Sequence, residues 1–279
     1  MQTEQFQLHA DIELRHWWFV GRRRIMRRLV DTLLGGDPQS PAGQAAVVDI
    51  GCGTGANIAA LADGYRCVGI DTSAEAVELA RQRFPQVEFL VGRAPGDLGS
   101  LMGQARLFVM MDVLEHVADD FAMLSELLSA AAPGSHFLLT VPADESLWSE
   151  HDESFGHYRR YDLQRFERVW ADLPVTTRLL SYFNARLVPL IRMIRARNQR
   201  RGHAAGKAGT DFWVPIAPVN RLLGAVFAGE ARRLAGMLRG RRCRGYAAGA
   251  SLVAVLRREE GPIPVRQRPD DLPPDHRND

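Results

Sequence analysis

The stretch AVVDIGCGTGANIAALADGYRCVGID, Ala46–Asp71, decides how the rest of the chain is read. Small and β-branched apolar residues lead into Asp49, glycines follow at Gly51, Gly53 and Gly55, a helix-compatible segment comes next, and a second apolar run ends in Asp71. That is a strand, a tight turn, a helix and a strand. In such a βαβ unit the glycines let backbone approach a ligand at the helix N-terminus, and an acid at the tip of the second strand accepts hydrogen bonds from both ribose hydroxyls. The stretch therefore reads as a nucleoside-binding site with Asp71 as the ribose acceptor. Which nucleoside stays open on this motif. Gly51, Gly53 and Ala56 also satisfy the dinucleotide pattern G-x-G-x-x-G/A, with Asp71 about 20 residues further on, so NAD fits as well.

Composition narrows the class. With 279 residues the chain can bury a full core and accommodates one domain with an insertion or two small ones. A net charge of only +2 gives no global case for nucleic acid, and neither a D/N-P-P-Y/F/W segment nor a Pro-Cys nucleophile occurs. Cys52, Cys67 and Cys243 form no C-x-x-C pair, which points to a reducing compartment. The N-terminus MQTEQFQLHADIEL is too acidic and polar for a signal peptide, and no run of about 18 apolar residues suggests a membrane span. The expectation is a cytoplasmic protein, at most peripheral to the inner face of the membrane.

Two features tilt the choice of ligand: Asp49, two residues before the first glycine, and the third glycine at Gly55. VDIGCGTG (Val48–Gly55) resembles the first motif of class I S-adenosylmethionine (SAM)-dependent methyltransferases, and GID (Gly69–Asp71) matches their second. The resemblance implies an α/β fold with a doubly wound, seven-stranded, mostly parallel sheet of the Rossmann-like kind. It implies SAM as cofactor, lined by Asp49, Gly51, Cys52, Gly53, Asp71, Thr72 and Ala94. Methyltransferases of this type usually carry an acid for the adenine amino group where Arg93 stands here, and that departure weakens the adenine contact.

Around this unit the chain is read in order. A helix is expected from about Thr3 to Leu34, broken near Gly21, then a glycine- and proline-bearing linker. Within it His16-Trp17-Trp18-Phe19 precedes Arg22, Arg23 and Arg24. The cluster is either a helix packing its aromatics on the core, or a lid in which Trp17 and Trp18 shield the reacting groups and Arg24 pairs with the donor carboxylate. Similar HWW or WWD segments precede the first motif in quinone-biosynthesis O-methyltransferases. Helix, strand, strand, helix and strand follow at Ser73–Phe84, Val87–Val91, Leu107–Met111, Phe121–Ala131 and His136–Val141. Met111 and Asp112, at the carboxyl end of the fourth strand where ligands gather, border the donor's sulfonium. The next segment, Leu114-Glu115-His116-Val117, is similar to the fourth motif of the quinone-type methyltransferases. Glu115 and His116 either face the ligand as well or cap and brace the following helix, and for His116 the structural role is preferred.

Pro142–Asp162 then brings the densest polar stretch, PADESLWSEHDESFGHYRRYD. His151, Asp152 and His157 are its acid–base candidates, because histidine alone has an unperturbed pKa near neutrality, about 6.5. Tyr158, Arg159 and Tyr161 are placed in the acceptor's wall. Some bacterial methyltransferases sharing the LEHV segment have a similar H-D and G-H-x-R-R-Y run. The alternative is a surface loop laced with ion pairs. A metal set of His151, Asp152 and Asp144 is poorly spaced, and no metal is assigned.

The remainder divides into a helix at Leu163–Ala171, a sixth strand at Val175–Ser181, helix-like segments at Asn184–Lys207 and Phe212–Arg244, and a last strand near Ala250–Leu256 pairing antiparallel with the sixth. The organisation expected is a helical lid (1–40), an α/β core (41–183), a helical insertion (184–249), the last strand (250–258) and a disordered tail (259–279). Residues 187–201 are apolar and basic, either an amphipathic anchor for anionic lipid or a cap helix on the sheet. The function expected is methyl transfer, by O-methylation, to a small-molecule or lipid-like acceptor, with no nucleic acid involved. Against an NAD(P)-dependent oxidoreductase stands the lack of a second mononucleotide half, and against an aminopropyl transferase the lack of an acidic pair. A non-catalytic SAM-binding partner protein stays open through Arg93.

Overall fold

The computed structural model describes residues 3–35, 46–193, 214–241 and 243–264. Its strands are β1 (Ala46–Ile50), β2 (Arg66–Asp71), β3 (Glu88–Val91), β4 (Leu107–Met111), β5 (His136–Pro142), β6 (Val175–Phe183) and β7 (Ser251–Arg258). Its helices are α1 (Thr3–Glu13), α2 (Trp17–Leu34), α3 (Ala56–Ala59), α4 (Ala74–Arg83), α5 (Leu101–Gln104), α6 (Asp120–Ala130), α7 (Glu150–Ser154), α8 (Leu163–Arg168), α9 (Ala217–Ala228) and α10 (Ala231–Leu238). The strands make one seven-stranded sheet in the order β3-β2-β1-β4-β5-β7-β6. Neighbours are parallel from β3 to β5, and β7 runs antiparallel between β5 and β6. The doubly wound sheet expected from the sequence is therefore present.

Strands β1 and β4 are buried along their whole length because helices cover both faces of a parallel sheet, and this is why AVVDI and LFVMM are almost continuously apolar. Alternating side-chain direction splits them between two cores. Val47, Val109 and Leu138 join Ile25, Leu29 and Val77 on one side. Val48, Phe108 and Phe137 join Leu124 and Leu127 on the other. Asp49 is the one charge inside β1.

The N-terminal helical segment breaks at residues 14–16 and not at Gly21. His16 is the reason, since its ring accepts from the Trp18 N–H and caps α2. Gly21 lies within α2, where a Cβ would come 2.6 Å from the Phe227 ring, so this glycine lets α2 and α9 approach closely. Helix α2 also packs along α10.

A helical stretch begins at 188 and reaches the end of the described segment at 193. Leu187 and Val188 are buried, and exposed Arg192 bonds to Asp144 at 2.6 Å. The rest of the 187–201 segment, the linker at 36–45 and the tail from 265 onward lie outside the described residues. No helix among the described residues is long and apolar enough to cross a membrane.

Candidate functional site

A cavity of about 1360 Å³ opens at the carboxyl ends of β1, β2, β4 and β5. Its floor is the glycine turn. Gly51 and Cys52 donate their N–H groups to the Ile70 carbonyl at 2.8 and 3.1 Å, which ties the turn to β2. Gly51 has φ +73°, and a Cβ there would stand 2.7 Å from a Val113 methyl, so only glycine leaves the cradle open. Asp71 accepts from the Gly53 N–H at 2.8 Å through one oxygen and from the Ser73 N–H at 2.9 Å through the other. The carboxylate is thereby fixed with lone-pair capacity to spare on both oxygens. Glu13 of α1 braces the turn from outside: it accepts from the Thr54 hydroxyl at 2.8 Å and pairs with Arg83, whose guanidinium also reaches the Ala10 carbonyl at 3.0 Å.

Gly51, Cys52, Gly53, Asp71, Thr72, Ala94, Met111 and Asp112 all line this cavity. Asp49 does not. It lies inside β1 beneath the turn, 1% exposed, with one carboxylate oxygen unpartnered. Burial pushes its carboxyl up to about 8, against the lowering pull of Arg22. Burial also raises the Cys52 thiol well above its ordinary range, which suits a filler and not a nucleophile.

Trp17 and Trp18 line the cavity and Arg24 does not. Arg24 is exposed, because two residues along a helix turn it away from the face carried by Phe19, Ile25, Met26 and Leu29. The arginine on that face is Arg22. It is buried, its guanidinium stacks 4.1 Å over the Trp18 ring, and it is ion-paired with Asp112. Thr140 donates to the other Asp112 oxygen at 3.1 Å.

The opposite end of the cavity is built from side chains on two separate segments. His151 and His157 both line it. His157 Nδ1 lies 2.9 Å from one oxygen of Asp152, and Arg160 takes the same carboxylate in a two-pronged bond at 2.8 and 2.9 Å. Asp152 is fully buried; burial opposes its ionisation, but hydrogen bonds from His157 and Arg160 outweigh that and hold its carboxyl well below the usual carboxylate range. The ion pairs on Asp152 thus lie inside the protein, while that of Asp144 with Arg192 lies at its surface.

Tyr158, Arg159 and Tyr161, expected in the acceptor's wall, are absent from the cavity lining. Tyr161 is 1% exposed, its hydroxyl donates to Asp120 at 2.8 Å and its ring packs on Phe166. Arg159 is buried against the same Asp120 at 3.0 Å. Tyr158 donates its N–H to the Glu115 carbonyl at 2.7 Å. Side chains two apart in extended chain share a side, so Arg159 and Tyr161 turn toward α6 while Arg160 between them turns to Asp152.

The placement of Glu115 and His116 differs from the structural role preferred for His116. Leu114–His116 is a 3₁₀ turn, and both Glu115 and His116 line the cavity. Glu115 is fully buried, neither carboxylate oxygen has a hydrogen-bond partner among the described residues, and burial pushes its carboxyl well up. The His116 ring stands edge to face with His157 at 4.7 Å, and burial with the neighbouring His157 lowers it to about 4. One ligating atom from each of Glu115, His116 and His157 lies within 4.8 Å of the others. The position of the LEHV segment at the end of β4 was the available signal for these two residues.

The strand order also separates the ligands left open by the glycine motif. Beyond β5 the sheet continues with an antiparallel β7, not with the parallel second half that binds the other mononucleotide of NAD. A methyltransferase-domain family matches residues 16–188, more than half of the chain. Trans-aconitate 2-methyltransferase of Azoarcus sp. is 35% identical over 103 residues, covering 35% of this chain and 39% of that protein. The chain spans less than half the length of the curated relatives it matches. Among solved structures, the plantazolicin methyltransferase BpumL in complex with S-adenosylhomocysteine superposes with a TM-score of 0.54 at 13% identity, covering 92% of this chain and 90% of that one. The geranyl diphosphate C-methyltransferase of Streptomyces coelicolor gives 0.50 at 15% identity, over 82% and 76%. With its glycine turn and Asp71 at the head of a sheet of this order, the chain belongs to the methyltransferase-domain family, the class I SAM-dependent methyltransferases whose first two motifs Val48–Gly55 and Gly69–Asp71 resemble.

Proposed function

We propose that the protein transfers the methyl group of SAM to an oxygen of a small-molecule or lipid-like acceptor. One observation carries this reading: a single cavity joins the glycine turn and Asp71 to the histidines, and its roughly 1360 Å³ exceeds the ~300–1,000 Å³ of a site for one small ligand. There is room for a donor and an acceptor end to end. SAM supplies an activated sulfonium methyl. Asp71 holds the ribose hydroxyls on its spare lone pairs, the open cradle at Gly51 admits the donor chain, and Arg22 offers its guanidinium to the donor carboxylate in place of Asp112. Trp17 and Trp18 exclude water from the reacting end. Displacement at a methyl group needs alignment above all, and His151 or His157 takes the proton that an acceptor hydroxyl gives up.

The acceptor end has an apolar roof. Leu187, Leu190, Ile191, Val219 and Leu223 line it, and Met193, Ile216 and Leu222 nearby are exposed. That favours an acceptor with an apolar body, such as a quinone precursor or a polyprenyl-linked compound, and contact of the roof with a membrane surface. Calorimetric titration with SAM and with NAD tests the donor. Labelling a lysate with radioactive SAM, followed by separation of lipid, small-molecule, protein and nucleic-acid fractions, tests the acceptor. Binding of NAD alone, or label confined to protein or nucleic acid, overturns the reading.

A further inference from the structure

We propose that Glu115, His116 and His157 bind one divalent transition-metal ion at the acceptor end of the cavity. The three residues come from two segments, the 3₁₀ turn after β4 and the loop after α7, yet each brings a ligating atom to within 4.8 Å of the other two. A coordination shell with bonds of about 2.1 Å needs ligand atoms about 3.4 Å apart, and side-chain movements of about an ångström close that gap.

The state of each ligand points the same way. Glu115 is fully buried with neither oxygen hydrogen-bonded among the described residues, an arrangement that is costly unless a positive charge compensates it. The cations nearest to it are already committed, Arg22 to Asp112 and Arg160 to Asp152. Asp112 beside it adds further negative potential. His157 is held through Nδ1 by Asp152, which leaves Nε2 as its other ring nitrogen. A carboxylate fixing one ring nitrogen while the other meets an ion is the recurrent second layer of histidine metal sites, and here Arg160 and the Ser149 N–H anchor that carboxylate in turn. The Phe155 carbonyl lies within hydrogen-bonding reach of the His116 ring and can hold its orientation.

Two imidazoles and one carboxylate suit zinc, cobalt, iron or manganese rather than magnesium or calcium, which prefer oxygen ligands. Three protein ligands leave coordination positions open toward the cavity. There the ion would polarise an acceptor oxygen and lower its pKa, a role that rests on the proposed methyl transfer, whereas the binding of the ion does not. His157 would then serve as a ligand, and His151 would remain as the base.

The test uses the full chain, stripped by a chelator and titrated with Co²⁺ by absorption and with Zn²⁺ by calorimetry. One saturable equivalent is expected for the unaltered protein. Glu115→Gln and His157→Asn are each expected to weaken Co²⁺ binding about 100-fold or more, and His136→Asn, remote on β5, to leave it unchanged. His116→Asn removes a ligand without touching the Asp152–Arg160 pair, so it serves if the buried variants fail to fold. SAM affinity and thermal melting report folding in every variant. Absence of a saturable Co²⁺ equivalent, or equal binding by folded Glu115→Gln, His116→Asn and His157→Asn proteins, overturns the site. Because Co²⁺ uptake is read without methyl transfer, failure of the metal site and failure of the methyltransferase reading are told apart: the second appears as loss of SAM binding in the unaltered chain.

Discussion

At the glycine end of the cavity Asp71 is held by two backbone amides at 2.8 and 2.9 Å, while at the histidine end Glu115 is held by none and Asp152 is taken up by His157 and Arg160. The first end is made of main chain in a fixed turn, and its Asp71 carboxylate is held in place by that turn. The second is made of side chains carried on short turns, with a buried carboxyl that burial pushes well up and that has no hydrogen-bond partner among the described residues. On the proposed reading, donor recognition rests on the backbone, and events at the acceptor end rest on protonation or on the proposed cation.

The largest effect that separates the two ends is expected from Asp71→Ala. It removes the acceptor for two charge-assisted hydrogen bonds and frees the Gly53 amide, and SAM affinity in calorimetry is expected to fall about 100-fold or more. At the other end His157→Asn is expected to lower turnover about 100-fold while SAM affinity stays within about threefold, and His151→Asn to act in the same direction. Unchanged turnover in both histidine variants would remove them from the chemistry. Between the ends, Arg22→Ala is expected to weaken SAM binding about tenfold, the loss of one charged hydrogen bond, and Arg24→Ala to leave it as it was. The reverse result would restore the lid arrangement expected from sequence.

The smallest effect tests the buried charge beneath the turn. Asp49 has a carboxyl raised to about 8, against about 3.9 in an unfolded chain, so the folded protein holds a proton that the unfolded one releases. Stability from this group is full below about pH 4 and is lost as pH rises toward 8. Asp49→Asn is expected to match the unaltered protein in thermal melts at pH 4 and to melt a few degrees higher at pH 9. Equal melting temperatures at both pH values would mean that the carboxylate is solvated or paired.

The same contrast explains what could be read from the amino-acid sequence. Gly51, Gly53, Asp71, Met111 and Asp112 were legible because a backbone turn and strand ends impose fixed spacing on the residues that make them. The strands followed from the same apolar runs, and their seven-stranded order with an antiparallel last strand from the resemblance to the methyltransferases. Arg22 could have been preferred to Arg24 by extending the buried periodicity of Phe19, Ile25 and Leu29. Gly21 misled because its meaning lies in Phe227, some 200 residues away in the chain. Arg159, Arg160 and Tyr161 alternate between α6 and the cavity, and residue type alone does not say which way each turns. The pairing of Glu115 and His116 with His157 depends on how two loops meet, which no local pattern encodes.

The brace at Glu13 gives the first helix a part in shaping the proposed donor seat. Thr54 and Arg83 lean on that single carboxylate, so a protein shortened by residues 1–15 loses the outer buttress of the turn whose N–H groups fix Asp71. Such a truncation spares the sheet and its two cores, and the damage would surface as a soft, poorly shaped donor seat in a chain that still folds.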